Sequence, residues 1–493
     1  MVVLGSPEQF AQLRGLLDSA DYTEQALCRR IGIESLQQFE INADAAEAQS
    51  WDTDAQGALM RLFVEGRYVP VDTAVRLIGQ DRVQTLADLG LVERNAANAE
   101  EIGGTVSLYH TAGVYLISDR WNNPDRTPYK PAADVVYPAI VSNAQYFLRF
   151  LPRTPCRNLL DIGTGSGAAA LTAAKHFAEH AWAVDIADRS RIFAEFNRRL
   201  NGLENVTTAQ GDLYEPAGDR QFDRIVAHPP YVPVVRDRFL YRDGGTDGEQ
   251  IIRRVVEGLP AHLGPGGLFY LMALVSDRES ESFEQRVRRW LGDAHSEFDV
   301  ANFPINSVDP EEYAARAALH GDKPPETAKA LQRLFKSLEV RSMIYVILLV
   351  QRRGENRDIF TMRRQGRTST PVSSMLWLID FETHIRQPGG IEHFLATRVR
   401  ANRETAFRVT HKLGEEGWDV SEYVLQTVEP FSMEARAEPW AAHLLAAATG
   451  SHTLRELVDI LKQQEVLPAA VPAADFARAA AVLVSGGFLL LEQ

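Results

Sequence analysis

The stretch Leu159-Leu160-Asp161-Ile162-Gly163-Thr164-Gly165-Ser166-Gly167 constrains this chain more than any other. An apolar run ends on an aspartate, passes into alternating glycines and continues into alanine-rich sequence. A buried strand that turns at once into a helix needs backbone free of a Cβ penalty, and glycine supplies it. The same glycines let a ligand approach the main chain where a side chain would collide. Around this turn, short apolar runs at Asn158–Ile162, Ala181–Asp185, Arg224–Ala227, Leu268–Leu274 and Ser342–Val350 alternate with helical stretches. That alternation predicts an α/β fold, a mostly parallel sheet with helices on both faces.

The glycine spacing is Gly-x-Gly-x-Gly, and an acidic residue precedes it. Dinucleotide sites use Gly-x-Gly-x-x-Gly, which sets a helix N-terminus against a pyrophosphate. The pattern here favours S-adenosyl-L-methionine, which carries no pyrophosphate. Asp161, Gly163, Thr164, Gly165 and Gly167 are therefore expected to hold its methionine end. Asp185 ends the next apolar run, about 20 residues on, where a carboxylate accepts from both ribose hydroxyls. Ile186 is expected on the adenine face, Asp212 at the adenine amino group and Leu213 beside the ring. The last signal is Phe222–Tyr231, an apolar strand that runs into His228-Pro229-Pro230-Tyr231. Two prolines fix the backbone at the carboxyl edge of the sheet, where ligands of such folds bind. His228 and Tyr231 are the candidate catalytic residues, with His228 also facing the cofactor. Pro229, Pro230 and Tyr231 are the candidate acceptor-binding residues.

A chain of 493 residues is too long for one core, so two or three domains are expected. Residues 1 to about 50 read as helix. Gly57–Phe63, Val71–Ile78 and Arg82–Leu89 read as further helices, Leu91–Arg94 as a short strand, and Val106–Leu108 and Val114–Ile117 as a β-ribbon. Helices followed by a ribbon suggest a winged-helix-like module, and Thr453–Leu461, Ala474–Val484 and Gly486–Leu491 repeat that texture. The expected division is 1–133, 134–353 and 354–493. Ser118–Asp134 reads as a linker or substrate-facing loop. The stretch 277–340, broken by Pro304, Pro310, Pro324 and Pro325, reads as an insertion over the active site.

The net charge of −14 argues against a protein that coats nucleic acid or anionic membrane. An arginine-rich stretch (Arg352, Arg353, Arg357, Arg363, Arg364, Arg367, then Arg398, Arg400, Arg403, Arg408 and Lys412) is either a phosphate stripe or a solvated face or set of salt-bridge partners. Cys28 and Cys156 lack metal-ligand spacing and read as core thiols. The scattered histidines suggest no metal site. The absence of a basic, apolar leader and of any long apolar run suggests a cytoplasmic protein without a membrane span.

The ordered set Asp161–Gly167, Asp185, Asp212 and His228–Tyr231 resembles the class I methyltransferases, whose sheet has seven strands with a Rossmann-like arrangement. It is most similar to the Asn-Pro-Pro-Tyr branch, the release-factor glutamine methyltransferases and related small-domain enzymes. Arg242-Asp243-Gly244-Gly245-Thr246-Asp247-Gly248, Ile251–Leu259 and Leu263–Gly267 share that resemblance, which spans about 134–353. In the branch, the first motif residue grips a planar NH2 group with help from a proline-turn carbonyl. Here that residue is His228, and imidazole cannot present an amide's paired carbonyl and NH2. The expected activity is methyl transfer to an O or N nucleophile of a small molecule or peptide, with His228 orienting or deprotonating it. Methylation of a protein glutamine or a nucleobase remains open, as does a non-catalytic, nucleic-acid-binding protein with a degenerate core. A protein or structured RNA partner and a homodimer are compatible with the sequence.

Overall fold

The computed structural model describes residues 2–38, 50–233, 242–319, 324–354, 356–414 and 417–492. The chain forms two compact units, Met1–Val275 with Glu311–Leu338 and Ser276–Pro310 with Glu339–Gln493.

The first unit begins with helices α1 (Pro7–Ser19), α2 (Glu24–Ile31), α3 (Ala55–Phe63), α4 (Val71–Ile78) and α5 (Gln80–Asp88). Ser6 and Gln9 close a capping box on α1, which satisfies amide groups that the first turn leaves without partners. The helical expectation for residues 1–50 extends over 39–49, which lie outside the described residues. Strands β1 (Val69–Pro70), β2 (Val92–Arg94) and β3 (Glu101–Gly104) form an antiparallel sheet in the order β1-β3-β2. β4 (Val106–Thr111) and β5 (Val114–Asp119) form a separate ribbon. Helix α6 (Ser142–Arg149) leads into the parallel sheet.

That sheet contributes β6 (Cys156–Ile162), β7 (Ala178–Asp185), β8 (Val206–Gln210), β9 (Phe222–Ala227) and β10 (Leu263–Arg278). Within the unit the order is β10-β9-β6-β7-β8, all parallel. Leu159, Leu160, Ile225, Val226, Phe269 and Tyr270 are fully buried, as expected of strands covered on both faces by helices. Helices α7 (Ala168–His176) and α8 (Asp188–Leu200) follow β6 and β7, and α9 (Gln250–His262) precedes β10. The N-terminal helices and ribbon are joined to this core by α8. Phe10 meets Phe196 edge-on at 4.9 Å. The buried Asn197 accepts from the Ile117 N–H at 2.7 Å and donates to the carbonyls of Ile117 and Ser166 at 3.0 and 2.8 Å. One side chain thus binds β5 to the glycine turn.

In the second unit, β11 (Phe298–Val308) pairs antiparallel with β12 (Val340–Arg352). β12 is the strand expected at Ser342–Val350. β13 (Thr361–Arg363), parallel to β11, is an additional one that the sequence reading did not anticipate. Among the described residues of 277–340 lie β11 and the α-helices Phe283–Trp290, Pro310–Ala318 and Pro324–Ser337. Pro304 is accommodated because the register shifts between Pro304 and Asn306, where a ladder N–H is not needed. Farther on, Arg398–Ala401 pairs with Thr449–Thr453 and Leu489–Leu491. A core of Leu395, Val399, Leu425, Leu444, Leu457 and Phe488 lies among these strands and their helices. The arginine-rich stretch is largely committed within this unit. Arg352 pairs with Glu297, Arg357 with Asp299, Arg363 with Asp277, Arg367 with Glu429, Arg400 with Glu492 and Arg408 with Glu434. Of the two readings of that stretch, salt-bridge partners is the one these pairs support.

Candidate functional site

The site follows from the strand order. β6 lies between β7 and β9, so Ile162 is in register with both Val184 and Ala227. The chain leaves β6 in one direction for β7 and returns on its other side as β9, and ligands of open parallel sheets bind at such a reversal. The N–H groups of Gly163 and Thr164 both donate to the Val184 carbonyl, at 2.9 and 3.0 Å, which carries the turn across the end of β7. Gly163 and Gly165 have φ of 71° and 56°, and nothing lies within 4 Å of where a Cβ would stand on either. The turn is therefore an open cradle of bare backbone. Gly167 serves packing instead, since a Cβ there would lie 3.2 Å from that of Ala194 on α8.

Two carboxylates brace the cradle. Asp161 accepts from the Thr164 hydroxyl at 2.5 Å and the Ala170 N–H at 3.2 Å, which ties the strand end to the first turn of α7. Burial raises its carboxyl to about 7, and the nearby Asp185 adds to the rise. Asp185 accepts from the Gly165 N–H at 2.9 Å and the Ala187 N–H at 3.0 Å, and burial raises its pKa as well. Ile186, 54% exposed, presents an apolar surface beside it. The Gly211 N–H donates to the Asp185 carbonyl at 2.9 Å, which brings Asp212 and Leu213 to the same edge. Asp212 is ion-paired to Arg254 of α9 at 2.7 Å. Leu213 has φ 52°, a strained conformation for a leucine.

On the other side, β9 ends at Ala227 and passes directly into His228. The imidazole stacks on Phe147 of α6, centroids 5.1 Å apart, and Phe147 stacks on Tyr270 of β10, also at 5.1 Å. Tyr231 lies 5.8 Å from His228, ring to ring. The Asn143 side-chain N–H donates to the Tyr231 hydroxyl at 2.9 Å. Part of His228 remains accessible, but its Nε2 is sealed from solvent without a hydrogen-bond partner. Burial lowers its pKa to about 4, so the ring is neutral at pH 7. Pro229 is buried and Pro230 half-buried. The segment after Arg242 lies along the motif. The Val232 N–H donates to the Arg242 carbonyl and the Gly244 N–H to the Val232 carbonyl, both at 3.0 Å. A Cβ on Gly244 would lie 2.7 Å from the Tyr231 Cα, so only glycine fits.

The structure thus links Asp161, Thr164, Gly165 and Asp185 by hydrogen bonds, and His228 with Tyr231 by ring contact. Sequence reasoning missed Asn143, Phe147, Tyr270 and Arg254. Asn143 and Phe147 stand four residues apart on α6 and so share a face, but nothing in the sequence named the motif as their partner. Among the described residues, no cluster of His, Cys, Asp and Glu has the makings of a metal site. Cys28 is buried and Cys156 half-buried, both as free thiols.

The family described as methyltransferase small domain matches residues 140–299. The chain is 37% identical over 160 residues to a ribosomal protein uL3 glutamine methyltransferase of Bradyrhizobium diazoefficiens, covering 30% of this chain and 50% of that protein. It is 37% identical over 122 residues to a release factor glutamine methyltransferase of Geobacter sulfurreducens, covering 22% and 42%. The chain spans about half the length of these curated relatives. A shorter protein of Methanocaldococcus jannaschii, named for protein N5-glutamine methylation, is 30% identical over 161 residues, 31% of this chain and 76% of that protein. The chain belongs to the methyltransferase small domain family.

Proposed function

We propose that this chain is an S-adenosyl-L-methionine-dependent methyltransferase acting on a nitrogen or oxygen of a peptide or small-molecule acceptor, with His228 orienting that acceptor as a neutral imidazole. The observation that supports it is spatial. The open cradle at Gly163 and Gly165 has Asp185 on one side and the His228 corner on the other, because β6 lies between β7 and β9. The residues fit the cofactor. The cradle admits a chain where a Cβ would stand, the Asp185 carboxylate beside it is an acceptor suited to ribose hydroxyls, and Ile186 offers an exposed face for adenine. Asp161 would hold the methionine end, with Asp212 and Leu213 at the adenine.

When bound, S-adenosyl-L-methionine supplies an electrophilic methyl group; the acceptor lone pair forms the new bond to carbon as the carbon–sulfur pair passes to sulfur. The protein's share is alignment and exclusion of water. A base works best with a pKa near the working pH, and a ring at about 4 is far from it. His228 therefore aligns the acceptor, and the acceptor's proton leaves to solvent. Pro229, Pro230 and Tyr231 wall the acceptor side.

The relatives' names favour a second, narrower reading, in which the acceptor is the side-chain amide of a protein glutamine. One experiment tests both. The purified chain is incubated with methyl-labelled cofactor and, in separate reactions, with cell protein, RNA and small-molecule extracts. Label in protein supports the second reading, and label in small molecules or peptides the first. Label only in RNA, or no association with S-adenosylhomocysteine, overturns both. The domain division at 133 and 353, the winged-helix-like flanks, a homodimer and a cytoplasmic location belong to the same proposal. Among the described residues no helix is long and apolar enough to cross a membrane.

A further inference from the structure

The acceptor corner is built around α6. Phe147 is held between His228 and Tyr270, and the Tyr270 hydroxyl donates to the Phe147 carbonyl at 2.9 Å. The helix is therefore fixed against both β10 and the Pro-Pro motif. One turn earlier on the same face, Asn143 spends its N–H on the Tyr231 hydroxyl. With the nitrogen facing the tyrosine, the carbonyl Oδ1 points to the other side as an acceptor. Asn143 is half-buried, so part of its side chain is open to a ligand.

The groups in contact here, Asn143, Phe147, His228, Tyr231 and Tyr270, are all uncharged at neutral pH. An ammonium acceptor calls for a carboxylate partner, and a hydroxyl acceptor calls for a base of suitable strength. A carboxamide calls for neither. It needs a planar slot and an oxygen to receive its N–H.

We propose that Asn143 is a positioning residue for the acceptor, its Oδ1 receiving one N–H of a carboxamide whose nitrogen takes the methyl group. The proposal rests on the glutamine reading above and adds to it the residue that recognises the amide. The nitrogen lone pair forms the bond to the methyl carbon, the carbon–sulfur pair passes to sulfur to leave S-adenosylhomocysteine, and the second N–H proton goes to solvent. Held by one N–H, the amide keeps its face toward the cofactor.

The test uses the full chain saturated with S-adenosylhomocysteine and a fluorescein-labelled pentapeptide with a central glutamine, read by anisotropy. The same peptide with glutamate is the control. The native complex is expected to prefer the glutamine peptide. Asn143→Ala should weaken that peptide's binding about 10-fold, the scale of one hydrogen bond lost with its partner left unpaired. The same variant should leave S-adenosylhomocysteine affinity within about twofold, because no contact to the cradle is lost. Asn143→Asp, which keeps an accepting oxygen, should recover most of the loss. Equal binding of the two peptides by the native complex, or Asn143→Ala binding the glutamine peptide as tightly as native, overturns the proposal. If the native chain does not bind S-adenosylhomocysteine, the methyltransferase reading fails first, and this one with it.

Discussion

The two sides of the β6 turn are built on opposite terms. On the β7 side the two carboxylates are satisfied by the protein. Asp161 is held by Thr164 and Ala170, and Asp185 by Gly165 and Ala187. On the β9 side His228 Nε2 has no partner at all. A buried polar atom left unpaired costs about 1–3 kcal/mol, so folds keep few of them, and those they keep tend to mark function. The contrast fits a division of labour. One side holds a ligand of fixed shape and can be finished in advance. The other keeps an unpaired nitrogen beside the proposed acceptor corner.

The contrast is broken most sharply at His228. His228→Ala should lower the rate of label transfer by about 100-fold or more, the penalty for a misaligned acceptor. S-adenosylhomocysteine affinity, measured by calorimetry, should stay within about threefold, since the β7 side is untouched. The native rate should show no acid limb near pH 6.5 that depends on this ring, because burial places its titration near 4. In stability, the sign follows from the lowered value. The unfolded imidazole takes up a proton below about 6.5 while the folded one resists until about 4. The contribution is present above 6.5 and is lost as pH falls toward 4. An acid limb near 6.5 that vanishes in His228→Gln would restore the base role.

Asp185 comes next. Asp185→Ala removes the acceptor for two turn amides and for the ribose hydroxyls together. S-adenosylhomocysteine affinity should fall about 10- to 100-fold, as for hydrogen bonds to a charged group. Unchanged affinity would move the ribose elsewhere.

Asp161 sharpens the comparison through pH. Its carboxyl is raised to about 7, so between about 4 and 7 the folded chain carries a proton that the unfolded chain, ordinarily titrating near 4, has lost. Its contribution to stability is therefore largest at low pH and declines as pH rises through 7. A cationic methionine end prefers the ionised form. S-adenosylhomocysteine binding should weaken by up to about tenfold from pH 8 to pH 6, with proton release at the lower pH. In Asp161→Asn that slope should flatten. A native slope that persists in Asp161→Asn would assign the titration to another group.

How much of this was legible in the sequence follows the same division. The β7 side was readable because one contiguous segment carries it. Strand, aspartate and glycines are consecutive, and Asp185 follows at a distance set by one helix and one strand. The acceptor corner is assembled from far-separated pieces. Asn143 reaches Tyr231 across 88 positions, and Tyr270 reaches Phe147 across 123. Periodicity assigns a helix face but not its partner. β11 was missed for a different reason. Pro304 lies inside it, and proline ordinarily argues against a strand; the register shift that absorbs it is visible only once β12 is alongside. The arginines from Arg352 to Arg408 looked like a stripe because their carboxylate partners lie elsewhere in sequence.

Arg254 should give the smallest effect and separates two views of Asp212. Its ion pair with Asp212 is exposed, with side chains 49% and 40% accessible. Such pairs are worth about 0.2–1 kcal/mol and are screened by salt. If Arg254 steadies the Asp212 carboxylate for the adenine amino group, Arg254→Ala should weaken S-adenosylhomocysteine by about 1.4- to fivefold at low salt, the same range expressed as affinity. The gap should close in 1 M NaCl, and Asp212→Asn should erase it in a double-mutant cycle. If instead the arginine competes with adenine for the carboxylate, Arg254→Ala tightens binding. Arg254 comes from α9 and so lies outside the β6–β7 segment, which makes a loosening the first sign that the cofactor side, too, depends on a residue distant in sequence.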